Sequence, residues 1–167
     1  MLQSIVITGF MASGKSTAAA KIAADSGWRL ICLDRQIEES CGLSIAQIFA
    51  EKGEAEFRQI ESRLLQDALA VNSPPKVIDA GGGIVLLEQN RRLLEQACVI
   101  FLDTGISDIL HRLKNGAQIR PLLAGLDGEE VRQLWQARRQ VYVKTADFVV
   151  KDMAELNELF DRIIQRG

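Results

Sequence analysis

Eight residues near the N-terminus, Gly9-Phe10-Met11-Ala12-Ser13-Gly14-Lys15-Ser16, limit the possible architectures more than any other stretch. They match G-x-x-x-x-G-K-[ST]. The apolar run Ser4-Ile5-Val6-Ile7-Thr8 precedes them, and a stretch with Ala and Ile on one face follows, from Lys15 to about Asp25. A strand, a glycine-rich turn and a helix form the context that gives this pattern physical meaning. The glycines let backbone N–H groups turn inward around phosphate oxygens, and the helix N-terminus adds a favourable positive field. Lys15 is placed to bridge the β- and γ-phosphates of ATP, and the Ser16 hydroxyl to ligate Mg2+. The residues expected around the nucleotide are Met11, Ala12, Ser13, Gly14, Lys15, Ser16 and Thr17. The bland alternative, a chance glycine-rich turn, is disfavoured by pattern and context together. The motif implies nucleotide binding, but it does not separate a kinase from an ATPase, a GTPase or a nucleotide sensor.

Short β-branched runs alternate with longer amphipathic stretches along the rest of the chain. Residues 29–32, 77–79, 99–102 and 148–150 read as further strands. Helices are expected near 34–41, 44–51, 54–71, 86–96, 106–114, 129–143 and 153–165. Ser73-Pro74-Pro75 enforces a break, since proline cannot continue a helix and disfavours the α region before it. Near-continuous apolar strands separated by helices indicate a parallel sheet covered on both faces. A length of 167 residues suits a single domain. The polar, glycine-containing segment 115–128 has no clear period and is the candidate mobile loop.

Composition closes off other classes. A net charge of −2 argues against broad nucleic-acid or anionic-membrane binding. The three cysteines, Cys32, Cys41 and Cys98, form no C-x-x-C pair and are expected as free thiols in a reducing cytosol. His111 is the only histidine, which removes histidine-based triads and multi-histidine metal sites; it is expected to be solvated. No apolar run reaches the roughly 20 residues of a membrane helix. Met1-Leu2-Gln3-Ser4 lacks the basic lead of a signal peptide. The expectation is a cytoplasmic protein, monomeric, whose partners are small molecules and ATP or ADP.

Several further pieces occur in order. Asp34 follows the second strand, with Ile37-Glu38 after it; Gly53-Glu54 leads to Phe57-Arg58-Gln59-Ile60-Glu61. Then come Gly81-Gly82-Gly83, Arg120-Pro121-Leu122-Leu123, and Arg138 four residues before Tyr142. In this order and spacing the chain resembles the shikimate kinase family over nearly its whole length. The resemblance implies an α/β, three-layer P-loop kinase fold: a five-stranded parallel sheet in the order 2-3-1-4-5, helices on both faces and a mobile lid. The lid would span about 113–126 and the acceptor-binding helical region about 33–62. The implied reaction is ATP-dependent phosphorylation of the 3-hydroxyl of shikimate, in aromatic amino-acid biosynthesis.

By the same resemblance Asp34, Arg58, Gly81, Gly82, Gly83 and Arg138 hold shikimate, and Lys15, Asp34 and Arg120 serve the transfer. Two arginines suit a carboxylate, because a guanidinium offers a planar fork of donors. Gly82 would let backbone approach the substrate where a Cβ would collide. Arg120 would neutralise charge on the transferring phosphoryl group, and the lid carrying it would exclude water. Each role has a plainer rival. Arg58 and Glu61 suit a solvated surface pair worth a few tenths of a kcal/mol. Arg138 has Arg139 beside it, and the glycine triplet suits an ordinary turn.

The chain departs from the family pattern in three places. Cys32 stands where the family carries the first aspartate of D-x-D, a carboxylate that helps hold Mg2+; a thiol is a poor partner for that hard cation. Val77-Ile78-Asp79 ends in an aspartate where relatives have a small neutral residue, so Asp79 is expected to supply the missing charge; capping the next turn is the alternative. Ala12 replaces a glycine, which is tolerable only if its φ stays negative. A kinase for another polyol acid (quinate or gluconate) and a non-catalytic nucleotide-binding relative remain open. A nucleoside acceptor is disfavoured, since Phe49 and Phe57 are the only aromatic residues between Trp28 and Phe101.

Overall fold

A computed structural model describes residues 3–70, 74–115 and 121–165. The expected lid at 113–126 lies partly outside the described residues, and Arg120 lies outside them. Five strands, β1 (Ser4–Thr8), β2 (Arg29–Cys32), β3 (Lys76–Asp79), β4 (Cys98–Leu102) and β5 (Phe148–Val150), form one sheet. All pairings are parallel and the order is β2-β3-β1-β4-β5, as the resemblance implies. Parallel neighbours require crossovers. These are supplied by α1 (Lys15–Ser26), α2 (Leu33–Cys41), α3 (Ile45–Leu69), α4 (Glu88–Leu94), α5 (Ile106–Lys114) and α6 (Gly128–Thr145), with α7 (Met153–Gln165) after the last strand.

Successive strand residues point to opposite faces, so each strand feeds two cores. Val6, Ile78, Val99 and Phe101 pack with Phe10, Leu65 and Tyr142 on one face. Ile5, Ile7, Val77 and Ile100 pack with Ala18, Ile22, Leu156 and Phe160 on the other. A third, smaller cluster of Ile37, Ile45, Ile48, Phe57 and Ile60 joins α2 to α3. It fixes the helical region beside the sheet's C-terminal edge independently of the sheet itself.

The two helices expected at 44–51 and 54–71 form one element bent at Gly53, whose φ of 80° and ψ of 169° interrupt the helical hydrogen bonding. Ser44 starts this element with a capping box: its side chain accepts from the Gln47 N–H while the Gln47 side chain accepts from the Ser44 N–H. The helix expected over 86–96 is shorter, Glu88–Leu94. Arg91 Nη1 donates to the carbonyls of Val85 and Leu86, holding the entering chain as a turn rather than a helical start. Strand order reverses around β1, and ligands of open α/β sheets bind in the crevice beyond the strand ends at such a point. The ends meeting there are Thr8, Cys32, Asp79 and Leu102.

Candidate active site

The loop between β1 and α1 begins the site. Gly14, at φ 95°, is the N-cap of α1 and supplies no side-chain cap; a helix N-terminus favours an anion. The loop carbonyls are engaged on the opposite side. Arg112 of α5 donates from Nη1 to Ala12 O at 3.0 Å and to Ser13 O at 2.6 Å. Thr104 Oγ1 donates to Ser13 O at 2.8 Å. The Ser13 N–H in turn donates to Phe10 O at 3.1 Å and closes the turn. Lys15 is buried at the base of the loop.

The expectation that Ala12 keeps a negative φ is not met; its φ is 60°. A left-handed alanine costs roughly 1–2 kcal/mol. It persists because Arg112 grips the carbonyls of Ala12 and Ser13 from outside the loop, over-determining the turn.

A cleft of about 950 Å³ opens from this loop, bounded by Ser13 to Thr17, by Thr104 and Arg112, and by Lys151 to Met153 after β5. Its size suits a nucleotide-sized ligand. His111 is solvent-exposed as expected and lines this cleft. Arg112 and the residues after Val150 reach the cleft. Thr104 and Asp108 also line it, and no sequence pattern marks them.

On the other side of Lys15 the C-terminal ends of β2 and β3 bring Cys32 and Asp79 into register. Asp79 is buried, and the Ser16 hydroxyl hydrogen-bonds to its carboxylate. Burial is the larger effect and raises the Asp79 pKa, against the Ser16 hydrogen bond and the Lys15 charge, which favour the ionised form. Cys32 Sγ donates to Asp79 Oδ2 at 3.6 Å. Burial, joined by the charges of Asp79 and Asp34, pushes the Cys32 thiol up and keeps it protonated. Asp79 Oδ1 is buried with no partner among the described residues.

A second, narrower cavity lies against the loop from the acceptor side. Met11, Asp34, Arg58, the Gly81–Gly83 triplet, Leu122 and Arg138 line it, and it encloses about 30 Å³. That is room for a few waters at most, so an organic acid needs its walls to part. Arg58 is not a surface residue: it is 6% exposed, its Nη1 donates to buried Glu61 at 2.7 Å and its Nη2 to Glu54 at 3.1 Å. Burial alone would depress Arg58, but Glu61 and Glu54 more than offset it and its pKa rises. Burial likewise pushes the Glu61 carboxyl up, against the pull of Arg58.

Arg138 and Arg139 divide as their helix face dictates. Arg139 is exposed and grips Asp103 with two nitrogens, the shorter contact at 2.6 Å. Arg138 is 8% exposed, faces the cavity, and sits over Phe10 of the loop at 5.9 Å. Burial lowers the Arg138 pKa, and the nearby Arg58 charge adds to this. Its Nη1 has no hydrogen-bond partner among the described residues. Two guanidinium groups thus face one small cavity, one braced by carboxylates and one lacking a full set of acceptors.

The glycine triplet is required by its neighbours. A Cβ on Gly83 would collide with the Arg58 guanidinium. One on Gly81 would come within 2.9 Å of Glu61 Oε1 and 3.1 Å of Asp34 Oδ1. One on Gly82 would press on Met11 and on Gly9 O at 3.3–3.4 Å. Tyr142, buried and stacked on Phe101 at 4.8 Å, donates its hydroxyl to Gly82 O, an anchor that the sequence pattern places but does not explain.

Known proteins resemble the chain in both sequence and fold. The shikimate kinase family model matches residues 11–166. A shikimate kinase of Dictyoglomus turgidum is 37% identical, over 99% of this chain and 98% of its own. A structure of shikimate kinase from Acinetobacter baumannii in complex with shikimate superposes with TM-score 0.84 at 28% identity, covering 99% of this chain and 93% of that one. The shikimate kinase of Aquifex aeolicus superposes with TM-score 0.76 at 31% identity, covering 98% of this chain and 94% of that one.

Proposed function

Because this chain belongs to the shikimate kinase family, we propose that its two clefts hold ATP and shikimate on either side of Lys15, for transfer of the γ-phosphoryl group to the 3-hydroxyl. The observation that carries the reading is the pair of buried guanidiniums, Arg58 and Arg138, in a cavity that shares Met11 with the phosphate loop. A buried guanidinium with one nitrogen unpartnered among the described residues suits a site whose ligand brings a carboxylate.

The division of labour follows from position. The phosphate loop of residues 11–17, with Lys15 and the N-terminal end of α1, holds the phosphates and neutralises charge as it shifts. Arg58 and Arg138 orient the acid by its carboxylate. Asp34, at the start of α2 beside Gly81, accepts from a substrate hydroxyl and takes its proton as the oxygen attacks. Gly81, Gly82 and Gly83 keep the cavity floor free of side chains. The resemblance assigns to Arg120 the negative charge on the transferring group. Positioning and electrostatics supply most of the rate in such transfers.

The residues present also fit a divalent cation. The Ser16 hydroxyl and the Asp79 carboxylate are hard oxygen donors, and Asp79 keeps one buried oxygen without a protein partner. Mg2+, when bound, offsets charge on the β- and γ-phosphate oxygens. The three cysteines stand as free thiols, which suits a cytoplasmic enzyme, and no described helix is long and apolar enough to cross a membrane. A monomer suffices, since one chain supplies both clefts.

The test is ADP release coupled to a reporter, run with shikimate, quinate and gluconate. Shikimate-dependent turnover is expected. Turnover with gluconate and not shikimate would replace the substrate; ATP binding without turnover on any acid would reject the kinase.

A further inference from the structure

The rung formed by Cys32 and Asp79 carries more than a spare carboxylate. Both residues end their strands in register, and their side chains meet at 3.6 Å. One Asp79 oxygen is engaged by the Cys32 thiol, and Ser16 also bonds to the carboxylate. Oδ1 is buried with no partner among the described residues. An orphaned buried oxygen is costly unless something outside the protein satisfies it. The carboxylate that carries it lies beside Ser16, the proposed cation ligand. The Asp34 charge bears on both Cys32 and Asp79, and the Lys15 cation faces Asp79 from the loop.

We propose that the cation side of this site accommodates one carboxylate on the Cys32–Asp79 rung, that Asp79 is that carboxylate, and that Cys32 is a positioning residue. Cys32 donates through its S–H and holds the Asp79 side chain with one oxygen turned to the cation's water shell. A carboxylate at position 32 would remove the S–H donor and set two acceptor-only groups face to face across the rung. The two positions are therefore exchangeable but not additive. An aspartate at 32 impairs the site while Asp79 is present and restores it once residue 79 becomes the thiol. The inference rests on the nucleotide–cation reading above, but not on the identity of the acceptor.

The readout is calorimetric ADP affinity with excess Mg2+ divided by that in chelator, with bound Mn2+ counted by electron paramagnetic resonance as a second measure. Asp79→Asn should lower this ratio about 10–100-fold, the usual cost of losing a residue that orients a metal's shell. Cys32→Asp alone should lower it too. Cys32→Asp combined with Asp79→Cys should recover it. Cys32→Ser, which keeps a donor, should match the parent protein, and Cys32→Ala should fall below it. The proposal is overturned if Asp79→Asn keeps the parent ratio, if Cys32→Asp alone raises it, or if the exchange is no better than Cys32→Asp. If either aspartate variant at position 32 fails to fold by circular dichroism, the Ser and Ala variants decide: equal ratios overturn the role of Cys32. Shikimate turnover of the parent protein, measured alongside, separates a wrong acceptor from a wrong cation site.

Discussion

Replacing Arg138 by methionine should raise the stability of the ligand-free protein while weakening its hold on the acceptor. Arg138 is 8% exposed, and one guanidinium nitrogen has no partner among the described residues. Its charge is opposed by burial and by Arg58. A buried donor left unsatisfied costs about 1–3 kcal/mol. The arginine recovers about 0.5–1 kcal/mol from its seat over Phe10 at 5.9 Å. Methionine keeps the apolar stem and removes the charge, for a net gain of about 1 kcal/mol. In a chain of 167 residues that is an upward shift in Tm of roughly 2–4 °C. Binding moves the other way. Charge-assisted hydrogen bonds to a carboxylate are each worth about 1.5–3 kcal/mol, so the KM for shikimate should rise about 10- to 150-fold with that for ATP unchanged. The assay is thermal unfolding with and without saturating shikimate, alongside steady-state kinetics. The ligand-induced rise in Tm should shrink in the variant. A lower Tm together with an unchanged KM would refute the reasoning, since it would make Arg138 a structural residue.

Three further outcomes are expected. Lys15→Met should cut kcat about 100- to 1,000-fold, as for loss of one preorganised charge-stabilising group, with an unaltered circular dichroism spectrum. Gly83→Ala should raise the acceptor KM and spare that of ATP, because its Cβ would displace the Arg58 guanidinium; equal effects on both KM values would count against it. Tyr142→Phe strips the donor from Gly82 O, which should lower stability by about 1–3 kcal/mol in urea unfolding.

The strands were legible because a parallel sheet buried on both faces demands unbroken β-branched runs, and Ile5-Val6-Ile7 and Val99-Ile100-Phe101 supply them. The phosphate loop was legible because its backbone requirement is written in glycines. Arg58 looked like half of a surface pair by spacing alone. Its burial follows from the third core cluster, where Phe57 and Ile60 anchor α3 and turn Arg58 and Glu61 inward. The backbone of Ala12 was not legible, since what enforces it is Arg112, an arginine 100 positions away on another helix. Thr104, Asp108 and Lys151–Met153 meet in the nucleotide cleft only because the strand order places β1, β4 and β5 side by side. In sequence they are ordinary polar residues at element ends. The Cys32–Asp79 partnership had half its signal in each of two segments 47 residues apart, and the ladder register joins them.

The most direct measurement is a crystal structure of the complex with ADP and shikimate. The predicted result is a carboxylate held by both Arg58 and Arg138, with a ring hydroxyl near Asp34 turned toward the loop that carries Lys15. A carboxylate that meets neither arginine, or hydroxyls that all face away from Lys15, would contradict the account.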